Sequence, residues 1–157
     1  MLARLGGFIP DKVFDTHNHI YLLNQMPKGY NCFTTYGEVN AERILEDQKL
    51  IYGERNFGAL LVPSPCAVYN TDKAQRNEIN SWIAGQLENH QAFVAAAYAV
   101  PRDSEIELEA LFISSKIRAF CCYFANSTNT VSPSDSNMDQ YIPEVAWKVA
   151  ADTVCLF

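Results

Sequence analysis

Histidine is scarce in this chain of 157 residues: there are three, and two of them, His17 and His19, stand two apart in the stretch "FDTHNHIYL". Other scarcities limit what the protein can be. Lys and Arg number 12 against 18 Asp and Glu, with no basic run, so no surface that tracks nucleic-acid phosphates is expected. No apolar stretch reaches the roughly 20 residues that a membrane-spanning helix needs. The apolar part of the opening "MLARLGGFIPDK" is too short for a secretory signal. The expectation is a soluble, cytoplasmic protein with neither nucleic acid nor membrane as partner. The cysteines (Cys32, Cys66, Cys121, Cys122 and Cys155) are odd in number and include no C-x-x-C pair, so reduced and mostly buried thiols are expected. No Gly-rich phosphate loop of either common pattern occurs, and Ser64 lacks the G-x-S-x-G elbow of a serine nucleophile.

What is present is an apolar fraction of 48%, enough for a packed core in one domain. Strand-like runs alternate with helix-like patterns. "KVFDTHNHIYLL" (Lys12 to Leu23) reads as the first strand. "NAERILEDQKLIYGE" follows as a helix, with Ile44, Leu45, Leu50 and Ile51 at near-helical spacing, Asn40 as N-cap and Gly53 near its end. "FGALLVPSP" (Phe57 to Pro65) reads as a buried strand closed by prolines, and Thr71 to His90 as a long helix with an apolar face of Ile79, Trp82, Ile83 and Leu87. Ala92 to Pro101 is a third strand, Asp103 to Ser115 a helix capped by Asp103 or Ser104, and Lys116 to Ala125 a fourth strand. "MDQYIPEVAWKVAAD" is a fourth helix with Pro143 in its first turn, and "TVCLF" (Thr153 to Phe157) looks like the start of a fifth strand.

This rhythm implies an α/β fold with parallel strands and helices on the sheet faces. Two architectures fit residues 1–157 as a single domain. One is a five-stranded open doubly wound sheet. The other is a truncated (β/α)8 TIM barrel, its first four βα units plus the start of strand five; a whole barrel takes about 250 residues. A strand order of 1-2-3-4 favours the barrel, and a reversal around strand 1 favours the open sheet.

Side chains alternate along a strand, so His17 and His19 are expected on one face, with Asp15 beside them and Thr16 and Asn18 opposite. Two imidazoles from one strand suit a single divalent ion. Their place near the strand's C-terminal end is the active-site end of a β/α barrel. His90, in "LENHQ", reads as a solvated residue at a helix C-terminus. Arg102, just past the third strand, is a candidate for binding a substrate carboxylate, and Tyr21 a candidate pocket-lining residue.

"VFDTHNHIYL" resembles the first strand of the amidohydrolase superfamily, whose D-x-H-x-H opening supplies two metal ligands. The wider layout resembles the amidohydrolase-related branch, which holds metal-dependent hydrolases, lactonases and nonoxidative decarboxylases; "GALLVPSP", "AAAYAVPRD" and "IRAFCCYFAN" stand where its second, third and fourth strands would be. The resemblance implies that His17 and His19 hold a divalent metal, zinc foremost with manganese or iron as alternatives, and that Asp15 supports the strand. It implies a small-molecule substrate: an amide, ester or lactone opened by metal-activated water, or a carboxylated compound in the decarboxylase variant.

The family takes a further histidine from the fifth strand, often one from the sixth, and a catalytic aspartate from the eighth, so that base is expected beyond Phe157. The chain is therefore read as an N-terminal fragment, inactive by itself and prone to self-association through open sheet edges. Where many relatives carry a lysine at the end of the fourth strand, this chain has Cys121 or Cys122, which argues against a lysine-bridged metal pair. TatD-like deoxyribonucleases open with the same motif and are one alternative; a small α/β binding domain without catalysis is another.

Overall fold

The computed structural model describes residues 7–29, 35–67, 72–114 and 116–153. Strands and helices alternate as β1 (Lys12–Ile20), α1 (Ala41–Tyr52), β2 (Asn56–Pro63), α2 (Lys73–Gln86), β3 (Phe93–Tyr98), α3 (Glu105–Ser114), β4 (Ile117–Cys121) and α4 (Glu144–Asp152). The protein is α/β. Its four strands pair in parallel in the order β1-β2-β3-β4, so each strand lies beside its predecessor in sequence and β1 forms one edge. The residues of the expected fifth strand lie outside the described residues except for Thr153.

Sequential parallel pairing has a geometric consequence. Crossovers of the usual right hand, repeated in one direction, stack every helix on the same face of the sheet. The core agrees. Ala59, Leu61, Ala95, Ala97 and Ile117 of the strands belong to one buried cluster with Ala41 and Ile44 of α1, Ile79 and Ile83 of α2, Leu108 and Phe112 of α3, and Ala146 and Val149 of α4.

Local chemistry sets most helix ends. The Asn40 side chain accepts the Arg43 N–H at 2.9 Å and caps α1. Gly53 closes that helix at φ 71°, a left-handed conformation that favours glycine. Asp72 and Gln75 form a reciprocal capping box at the start of α2.

Three expectations from sequence are corrected. β1 stops at Ile20, because Tyr21 leaves β2 and exchanges two backbone hydrogen bonds with Val39 (2.8 and 3.1 Å). The buried face of α1 is Ala41, Ile44 and Gln48, while Leu50 and Ile51 are exposed. The segment from Met138 is not one helix: a 3-10 turn spans Met138–Gln140, and α4 begins only at Glu144 with Pro143 as N-cap. The ring of a proline pushes the residue before it out of helical geometry, so Ile142 cannot extend α4 backwards.

Asn80 fastens α2 to β3. Its side chain donates to the Tyr98 carbonyl at 2.9 Å and accepts the Tyr98 N–H at 2.8 Å, all within the core. Asn80→Ala removes both of these buried hydrogen bonds, and a loss of about 3 kcal/mol is expected. Urea unfolding checks it: the midpoint falls while the slope is unchanged.

Candidate metal centre

β1 carries one extra residue. Asp15 stands beside Ala59 and Asn18 beside Leu61, so three steps on β1 match two on β2. Such a bulge reverses the alternation of side chains. Asp15 therefore falls in phase with Asn18, toward the helices, and the expected grouping of Asp15 with the histidines on one face is corrected. His19 stands beside Val62, on the face away from the helices.

The bulge is held from both sides by one carboxylate. Asp15 Oδ1 accepts the backbone N–H of His17 at 3.0 Å, and Asp15 Oδ2 accepts from Gln48 Nε2 at 3.3 Å. A bulge frees a backbone N–H from the ladder, and that N–H must find another acceptor. Gln48 reaches it because it occupies the inner face of α1, where an apolar side chain would be expected. The only sequence signal for this partner was its position in the Ala41–Ile44–Gln48 stripe.

His17 and His19 meet edge to face, with ring centroids 4.6 Å apart and an interplanar angle of 89°. Their Nε2 atoms are 3.0 Å apart. His19 Nδ1 lies 3.3 Å from the Pro63 carbonyl oxygen. A carbonyl only accepts, so in this hydrogen bond His19 Nδ1 carries the proton and the neutral ring presents a bare lone pair at Nε2. That is the arrangement in which a carbonyl orients a metal-binding imidazole. Two imidazole nitrogens on one zinc at about 2.0–2.1 Å stand about 3.3 Å apart in a tetrahedral set and about 2.9 Å apart at right angles; the observed 3.0 Å lies between them. The pair thus fits two sites of one divalent ion.

The same carbonyl accepts the Tyr123 hydroxyl at 2.6 Å. Tyr123 follows the end of β4 and packs against Tyr98, with ring centroids 6.0 Å apart. It buttresses the end of β2 where His19 is anchored, a role no pattern in the sequence announces. Burial, then the neighbouring His17, push the His19 pKa below its ordinary value, against the opposing pull of the Pro63 and Val62 carbonyls.

The other candidates are dispersed. Cys121 stands beside Tyr98 in the register, and Cys122 packs on the core cluster. Burial raises both thiols, Cys122 to about 12, so both are protonated at neutral pH and are poor ligands in that form. Cys66, Cys121 and Cys122 are free and half-buried; Cys32 and Cys155 lie outside the described residues. Tyr21 is buried with Met26 and Ala67. His90 is not solvated as expected: it stacks on Phe93, with centroids 5.2 Å apart, and its Nε2 lies 3.7 Å from Glu42. Arg102 is exposed at the rim of a cavity past β3. Among the described residues, no three His, Cys, Asp or Glu side chains gather closely enough to hold a metal together.

No family model, curated protein or solved structure matches this chain.

The depressed His19 pKa gives a prediction for the metal-free chain. The unfolded chain takes up this proton near the ordinary value of 6.5, and the folded chain resists it until lower pH. Stability is therefore full above that value and falls as pH drops through the folded pKa. His19→Gln is expected to flatten the decline in melting temperature between about pH 7 and about pH 5.

Proposed function

We propose that this chain contributes the first metal-binding strand of a metal-dependent hydrolase of the amidohydrolase-related type, or of the nonoxidative decarboxylases that share its layout. The observation that carries the reading is the His19 ring between two contacts, Nδ1 at 3.3 Å from the Pro63 carbonyl oxygen and Nε2 at 3.0 Å from His17 Nε2. With Nδ1 donating to Pro63, His19 turns a bare Nε2 toward Nε2 of His17, at the C-terminal end of a parallel strand. The 1-2-3-4 strand order supports a β/α barrel, in which that end of the strands carries the active site.

On this reading His17 and His19 hold one divalent cation, zinc foremost. When bound, such an ion lowers the pKa of a water toward neutrality and polarises an amide, ester or lactone carbonyl. Asp15 and Gln48 fix the backbone of His17, and Pro63 and Tyr123 fix the ring of His19. Two imidazoles are short of the three protein ligands usual in a catalytic zinc site. By the resemblance, the remaining ligands and the aspartate that takes the proton belong to later strands of a full barrel. Residues 1–157 alone are therefore proposed to bind metal weakly and to turn nothing over.

Elemental analysis after chelator-free purification, followed by zinc titration, tests this. The parent chain is expected to take up metal and the His17→Ala/His19→Ala double variant none. Asp15→Ala keeps both ligands but releases the bulge, and its zinc affinity is expected to fall by about tenfold or more. Equal metal content in the parent and the double variant would sink the reading.

A further inference from the structure

The histidine pair is half of a coordination sphere, and it opens to solvent. His17 is exposed, and His19 is half-buried near the end of the same strand. β1 is an edge strand, with β2 on one side and no strand on the other among the described residues. The first segment beside that edge is Val39, which meets Tyr21 just past the strand. Among the described residues no third His, Cys, Asp or Glu comes near enough to join the pair. Zinc in a closed site takes four protein ligands in a tetrahedron. An ion held by His17 and His19 therefore has two positions left, and the exposed side of His17 leaves them open to another molecule.

Preorganisation and symmetry decide what fills those positions. The Nε2 atoms already stand 3.0 Å apart, held by the Pro63 carbonyl on His19 and the Asp15 carboxylate on the His17 backbone. A second copy brings two imidazoles in one event with that spacing set in advance, so little further ordering is needed. Two waters must each be immobilised separately. Two identical chelating pairs on one tetrahedral ion are related by a two-fold axis through the metal. Such a contact is self-complementary and closes at two copies, because four imidazoles leave no position for a third chain. Backbone pairing between the two β1 edges contributes little: the His17 N–H is bonded to Asp15, and Tyr21 gives both backbone groups to Val39. Charge opposes the pairing. Each chain carries a net charge of -6, and this repulsion is screened beyond about 8 Å at physiological ionic strength.

We propose that two copies of this chain share one zinc ion on a two-fold axis, each supplying His17 Nε2 and His19 Nε2. The inference rests on the reading of the pair as metal ligands and goes beyond it in naming the rest of the coordination sphere. A centre of four imidazoles is closed: it keeps no open position for a water or a substrate carbonyl. The shared ion is thus an assembly site. It holds both histidine pairs in a form that cannot perform the hydrolysis proposed for a complete barrel.

The test follows mass and metal together. The chelator-treated full chain is titrated with zinc sulfate at about 0.15 M salt, with native mass spectrometry and sedimentation velocity as readouts. Expected are a monomer without metal and a dimer that saturates at one zinc per two chains and dissociates in EDTA. Raising the chain concentration about a hundredfold is expected to lower the half-saturating free zinc by at least about tenfold, because the bound state counts two chains. Cobalt(II) in place of zinc is expected to show the intense visible bands of a tetrahedral ion. His17→Ala/His19→Ala is expected to stay monomeric at every zinc level, with circular dichroism checking its fold. A monomer that binds one zinc per chain overturns the shared site and leaves the hydrolase reading standing. A dimer formed equally in EDTA, or the weak bands of octahedral cobalt, also overturns the shared site alone. No zinc uptake at all overturns both.

Discussion

The hydrogen bond from Asp15 to the backbone of His17 is the contact on which the histidine site depends. β1 has one residue more than β2 needs between Asp15 and Asn18, and a carboxylate tied to α1 through Gln48 absorbs the misfit. The strand can then bury Asn18 and Ile20 among the helices while His17 and His19 face the other way. Without the extra residue, Asp15 and the histidines would share a face, and the carboxylate would sit beside the imidazoles instead of beneath the backbone that carries them. The bulge thus turns a motif of three polar residues into a pair of ring nitrogens and a separate support.

Polar side chains also set how the helices meet the sheet. Asn80 pairs with both backbone groups of Tyr98, and the buried Arg76–Asp103 ion pair joins α2 to the turn between β3 and α3. Truncating either partner alone leaves an uncompensated buried charge, so losing Arg76 or Asp103 singly costs more than the pair contributes net. That turn places Arg102 at the rim of the cavity past β3. A polar clamp thus fixes the turn after β3, and another fixes the bulge of β1.

Much of the architecture was legible in the residues. Alternating apolar runs marked the four strands and their helices, and Asn40 and Gly53 announced the two ends of α1 through chemistry that acts over three or four residues. The spacing of His17 and His19 put both rings on one face. The failures came where distant partners intervene. Leu50 and Ile51 carry the right spacing for burial, yet the sheet meets α1 one stripe further round, at Ala41, Ile44 and Gln48. His90 looked like a solvated helix end, but the start of β3 brings Phe93 beneath its ring.

The sequence by itself determined the order of elements, the α/β class and the proximity of two imidazoles, because periodicity, capping and alternation are properties of a few neighbouring residues. Only the tertiary structure decided the phase of Asp15, the proton position on His19, and the gathering of Arg76, Arg102 and Asn126 around one cavity. Each depends on a partner far along the chain: Ala59 for the strand register, the Pro63 carbonyl for the imidazole, and the β3 and β4 ends for the cavity. Register and hydrogen-bond pairing between strands are set where separate segments meet, and no local pattern encodes them.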